Sequence, residues 1–265
     1  RLDAAAGPSC AWGQRSEVTV DAGAAGHSDE IRIDLGTADF PAEYTFSADG
    51  DDVRVYEDDD VTLVDHVVTD WDAGARTATL YLRPAALAGN EPRDFHIYVG
   101  DPAAASASDP VTVFPDLGVR LRSRAATADP TDAASALTAF SAATIDYDNS
   151  IRTSVSGLNN QAVGGPGSNY GWCVSAVLEV TAATQGVWEF RYGADFGRGG
   201  HLYVSGVELD EQWNDDLWWA NSYANTNETL EGSITLAPGW HRYEALGFEG
   251  CCDGPTGFQA RAPGG

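Results

Sequence analysis

The chain has 265 residues, enough for one large domain or two of ordinary size, and its 40 acidic residues oppose 15 basic ones, giving a formal charge of -25 and a pI near 4.2. Such a charge repels nucleic acid and anionic membrane surfaces at ordinary salt, and no run of about 18 apolar residues offers a bilayer span. Every basic residue is arginine, methionine is absent, and the four cysteines include no C-x-x-C pair. That spacing excludes the usual zinc and thioredoxin-type sites and points to disulfides formed in an oxidising compartment, hence to an exported protein.

Taken in chain order, the first half reads as strands. EVTVDA (17–22), EIRIDL (30–35), DVRVYE (52–57), TATLYLRP (77–84) and DFHIYVG (94–100) alternate apolar and polar residues between Gly, Asp, Asn and Pro punctuation. The pattern predicts a half-buried antiparallel sheet at sandwich spacing. DGDD (49–52) and EDDD (57–60) flank one of these strands; hairpin turns account for them, with a weak calcium site as the competing reading. After SDPVTVFP (108–115) the composition turns to Ala, Ser, Thr, Asn and Gly. Residues 116–170 are therefore read as a connector and the irregular start of a second unit, with one helix over 131–143.

Alternation resumes in VSAVLEV (174–180), VWEFRYG (187–193), HLYVSG (201–206), GSITLA (232–237) and HRYEALGFE (241–249). The expected fold is all-β: a segment 1–9, a first antiparallel β-sandwich over 10–115, the connector, and a second, jelly-roll-like sandwich over 171–265.

Two resemblances follow from longer blocks. Trp12 to Val20, Phe46 to Val55, Trp71 to Leu82 and His96 to Ala104 together resemble a bacterial domain of unknown function that accompanies lectin-like modules in exported surface proteins. Residues 186–210 and 232–250 are similar to the anthrax protective-antigen-type β-sandwich of adhesins, in a Cys-Cys version like that of proteins associated with mannose-sensitive haemagglutinin pili. That second resemblance implies sugar binding at loops that relatives order with calcium on paired aspartates. Here the loop reads ADFGRGG, with Asp195 alone.

The most site-like stretch is DEQWNDDLWWANSYANTNET (210–229). Trp213, Trp218, Trp219 and Tyr223 offer faces for sugar rings, and Asn221 and Asn225 offer amides for hydroxyl groups; the competing reading has the indoles capping an open sandwich end or packing on the first domain. Asp195, Asp215, Asp216 and Asp253 are candidate oxygen ligands for calcium, against a reading as solvated loop acid. Cys251 and Cys252 either close a vicinal ring, leaving Cys10 with Cys173, or staple the loop separately to Cys10 and Cys173. The five histidines stand singly, and no nucleophile elbow, H-E-x-x-H or P-loop occurs, so no enzyme is expected. The chain is thus expected to be a secreted cell-surface or appendage adhesin that binds glycan or neighbouring surface-protein subunits. A filament subunit assembled by strand exchange through residues 1–10 is the alternative, and a glycosidase-associated module the third.

Overall fold

The computed structural model describes residues 14–20, 30–40, 44–45, 47, 49–87, 91–101, 103–114, 118–154, 158–159, 167–251 and 254–265. The fold is all-β with antiparallel sheets of sandwich type, and the chain divides into two compact units, residues 1–115 and 116–265. Among the described residues no helix is long and apolar enough to cross a membrane. Cys10 and the amino-terminal segment proposed for strand exchange lie outside the described residues, as do Cys252 and Asp253.

Among its described residues the first unit has six strands: β1 (Gln14–Val20), β2 (Ile31–Leu35), β3 (Arg54–Glu57), β4 (Asp65–Asp72), β5 (Thr77–Arg83) and β6 (Arg93–Val99), followed by the short helix α1 (Pro110–Val113). They form two three-stranded sheets, ordered β1-β6-β3 and β2-β5-β4. Val55, Phe95 and Ile97 from one sheet meet Leu80 and Leu82 from the other in one core. The alternation in the sequence is what places them there, because every second side chain of a strand points to the same face. The acidic runs serve hairpins. Asp52 accepts from the Tyr44 hydroxyl, the Ser47 hydroxyl and the Gly100 amide, while Asp59 accepts from the Val61 and Thr62 amides. Asp60, in the left-handed region at φ 56°, accepts from Tyr98 Oη at 2.7 Å and from His96 Nδ1 at 2.5 Å. These three carboxylates thus hold the hairpins and neighbouring strands together through hydrogen bonds within the chain.

The second unit holds β7 (Val119–Ala125), α2 (Ala133–Ala142), β8 (Asp146–Arg152), β9 (Tyr170–Val180), β10 (Gly186–Gly193), β11 (Asp195–Phe196), β12 (Gly199–Val204), β13 (Val207–Trp213), β14 (Leu217–Trp218), β15 (Thr229–Leu236), β16 (Gly239–Glu249) and β17 (Gly257–Arg261). A six-stranded sheet, ordered β13-β12-β16-β9-β7-β8, packs on the three-stranded sheet β15-β10-β17. Trp172, Val174 and Ala245 from the large sheet and Phe190, Tyr192 and Leu230 from the small one fill the space between. On its other face the large sheet carries α2, whose Phe140 packs with Cys173, Leu246 and Phe248. Asp132 caps this helix by accepting from the Ser135 amide.

The expected connector is therefore sheet and helix of the second unit. In β7, VRLRSRA, arginine occupies every second position, so only Leu121 and Ser123 are deeply buried and the apolar half of the alternation is nearly invisible.

Candidate functional site

β10 ends at Gly193, and the chain turns through Ala194 into β11, which pairs with β14 as a two-residue ribbon placing Asp195 opposite Trp218. The Trp219 amide continues the contact by donating to the Ala194 carbonyl at 3.2 Å. A strand position alternates faces, so the neighbouring indoles separate. Trp218 is 62% exposed and Trp219 only 6%.

Two glycines hold the buried indole. A Cβ on Gly193 would fall 2.4 Å from the Trp219 ring, and one on Gly257 would fall 2.4 Å from the far edge of the same ring. The Tyr223 ring tilts against it at 5.0 Å between centroids, and burial pushes the Tyr223 hydroxyl up to about 12. On the exposed side, the Trp218 amide donates to Glu228 Oε2 at 2.7 Å, which ties the 217–219 turn to the start of β15.

The cysteine loop closes over the same ribbon. A Cβ on Gly254 would sit 2.7 Å from Asp195 Oδ2, so only glycine lets that backbone approach the carboxylate. Glu249, fully buried at the end of β16, accepts the Cys251 amide on Oε1 at 2.7 Å. The same oxygen faces Gly197, where Asp216 Oδ1 also approaches. Arg198 fastens the β11–β12 turn from outside, with Nε 3.0 Å from Asp129 Oδ1 and Nη2 donating to Asn169 Oδ1 at 2.7 Å. The loops around 195–200, 216–223 and 249–257 thus meet at one end of the second unit.

Several sequence-derived residues join this cluster: Asp195, Asp216, Trp218, Trp219, Tyr223 and Cys251. Asn221, at φ 59°, and Asn225 lie exposed in the same loop, as does Asp215. Trp213 does not join. It turns to the α2 side of the large sheet, edge-on to His201 at 5.7 Å, with Nε1 donating to Glu211 Oε2, the oxygen that also accepts the Ala133 amide at the start of α2. Leu209 of β13 packs against the inter-sheet core, but beyond the irregularity opposite Leu202 and Tyr203 the side chains of Glu211 and Trp213 lie on the α2 side, which is why one indole of the three departs. Among the described residues no three His, Cys, Asp or Glu side chains gather as a metal site, so Asp195, Asp215 and Asp216 do not form a calcium set between them.

The cysteines need one correction. Cys251 is disulfide-bonded, with its partner outside the described residues, but Cys173 is a free thiol buried on β9. Both pairings expected for Cys173 are thereby excluded. Its side chain points under α2, away from the loop end, and burial pushes the thiol up to about 12, with Glu244 adding in the same direction.

Sequence reasoning missed Glu249 and Glu228. Glu249 carries a signal in retrospect: it is a carboxylate at the close of a strand whose preceding residues are continuously buried.

Residues 49–116 match the family model described as Domain of unknown function (DUF2341), well short of half the chain. The match contains the Trp71–Leu82 and His96–Ala104 blocks and most of Phe46–Val55, and leaves out Trp12–Val20. No curated protein matches. Among solved structures, the chain is similar to an anti-sigma factor domain-containing protein from Clostridium clariflavum, at 11% identity and a TM-score of 0.37 over 94% of this chain and 79% of that one. A GH31 α-xylosidase from Xanthomonas citri gives 12% identity and 0.33 over 94% and 22%. A β-glucosidase from Kluyveromyces marxianus gives 10% and 0.32 over 55% and 17%. At such scores none of these likenesses bears on what the chain does.

Proposed function

We propose that the protein is a secreted, non-enzymatic adhesion module of the cell surface or a surface appendage, and that it binds carbohydrate through the loop end of its second unit. One observation carries the reading: Trp218 is a rigidly held, solvent-facing indole beside the amide-bearing loop of Asn221 and Asn225. An aromatic face stacks on the apolar face of a pyranose, and side-chain amides satisfy its hydroxyl groups as donors and acceptors at once. Exposing so large an apolar ring costs solvation, and a carbohydrate face recovers it. The similarity of residues 186–210 and 232–250 to the protective-antigen-type sandwich supports the same reading.

The disulfide at Cys251 would clamp the last loop over Asp195 so that the site is formed before ligand arrives. Recognition in this reading rests on rings and amides, and among the described residues no carboxylates gather as a metal set. A glycan array probed with the whole protein, with and without EDTA, tests this. Saturable binding to a subset of glycans, unchanged by EDTA, is the expected result. Binding to no glycan would end the reading, and binding abolished by EDTA would overturn its metal-free form.

A further inference from the structure

The outer face of the six-stranded sheet carries a second cluster, remote in chemistry from the loop end. Arginine alternates along β7 at 120, 122 and 124, with Leu121 between them in the inter-sheet core, so all three project to the face that carries α2. Arg124 is neutralised by Asp146, with Nε 2.7 Å from Oδ1. Arg122 is different. Its guanidinium lies 5.7 Å above the Phe140 ring and Nη2 reaches Cys173 Sγ at 4.0 Å, yet among the described residues no carboxylate lies within ion-pair distance, Glu244 acting on it only from further away, and its Nε is buried without an acceptor. Carboxylates outnumber arginines 40 to 15 in this chain, so an arginine left without one is a specific placement and not a shortage of partners.

Its neighbours suit an oxyanion. Arg242, across the sheet on β16, donates from Nη2 to Ser175 Oγ at 3.0 Å and to Glu244 Oε2 at 3.3 Å. Ser175 lies on β9 in register with Glu244 on one side and Arg120 on the other. Because the buried Ser175 Oγ accepts from Arg242, its own hydrogen remains available as a donor. Two guanidinium groups against one carboxylate leave a local excess of one positive charge, in a protein whose formal net charge is -25. A buried guanidinium donor without an acceptor costs more than a neutral one, so an acceptor from outside the chain is the natural completion.

We propose that Arg122, Arg242 and Ser175 form an oxyanion site that takes a single carboxylate or sulfate group of a small ligand. The guanidinium of Arg122, held flat by Phe140, supplies the directed donors; Arg242 supplies charge; Ser175 supplies one hydroxyl donor. A single group fits where a polyanion does not, because the field of the whole protein opposes each further negative charge. The inference does not depend on the glycan reading, since it uses neither Trp218 nor the cysteine loop.

The test is calorimetric titration of the whole protein near neutral pH and about 0.15 M salt, where long-range repulsion is largely screened. The probes are glucuronate, galactose 6-sulfate, inorganic sulfate and glucose. Saturable binding of either acidic sugar, absent for glucose, is expected. Arg122→Gln should weaken it about tenfold or more, a loss of about 1.4 kcal/mol or more, and Ser175→Ala should weaken it less in the same direction. Binding of inorganic sulfate alone would identify a free oxyanion as the ligand and keep the site. Should Arg122→Gln fail to fold, Ser175→Ala and Arg242→Gln decide. No saturable binding of any anion, equal affinity for glucose and glucuronate, or variants that bind like the wild type would overturn the proposal.

Discussion

The Trp219 indole lies against the backbone of Gly193, so close that a single added methyl group would fall 2.4 Å from the ring. The contact fixes the β10–β11 turn and, through the adjoining ribbon, the position of Trp218. Gly193→Ala should therefore cost about 1–3 kcal/mol, since an overpacked ring has to leave its rotamer or push the backbone aside. A chemical denaturation curve with intrinsic fluorescence checks it, and a red-shifted native emission should accompany the loss.

The two adjacent tryptophans should separate stability from binding. Trp219→Ala empties a buried site and should cost about 3–5 kcal/mol. Trp218→Ala removes an exposed ring and should leave stability within about 0.5 kcal/mol of the wild type. Melting both variants beside the wild type tests the division.

His201 sets an acid limit on the second unit. The ring is fully buried between Tyr203 and Trp213, neither nitrogen has a hydrogen-bond partner among the described residues, and desolvation lowers its pKa to about 4 against the opposing pull of Glu244 and Glu211. The unfolded chain takes up the proton near the ordinary imidazole value of about 6.5. The native state is thus favoured above that pH, and this contribution is lost as pH falls from about 6.5 to about 4, by about 3 kcal/mol in all. His201→Phe should flatten the slope of stability against pH in that window. A residual slope should remain from His66 in the first unit, whose pKa burial also lowers. An unchanged slope in the variant would assign the acid sensitivity elsewhere.

Cys173 should be silent in the native protein. Its thiol is buried under α2 and held protonated, whereas alkylation requires an accessible thiolate. Iodoacetamide should label Cys173 in denaturant and leave it unmodified at neutral pH without denaturant, as peptide mass mapping can read.

Where periodicity was clean, fold and sequence agree: Val55, Leu80 and Phe95 sit in the first core as their alternation requires, and Phe190 and Tyr192 do so in the second. The misses have physical causes. β4 carries Asp65, Asp70 and Asp72 and breaks register between Thr69 and Asp72, with Asp70 at φ 48°, so its period is interrupted there. β7 hides behind its arginines and β8 behind DYDNSIR, in which no side chain is deeply buried. The convergence of Asp195, the indole segment and the cysteine loop was legible because the three segments leave β10, β13 and β16 near one end of the sheets. The departure of Trp213 was not, since its direction depends on the parity of a strand whose pairing with β12 shifts between Leu202 and Tyr203. The pairing of Cys173 was out of reach for a similar reason: a strand cysteine faces one side or the other, and no sequence spacing says which.

The most direct measurement is a binding isotherm of an array-selected glycan against the wild type and Trp218→Ala, both shown to melt alike. Saturable binding by the wild type that weakens about tenfold or more in the variant is predicted. Equal affinity in the two proteins would contradict the account and place carbohydrate recognition away from the loop end of the second unit.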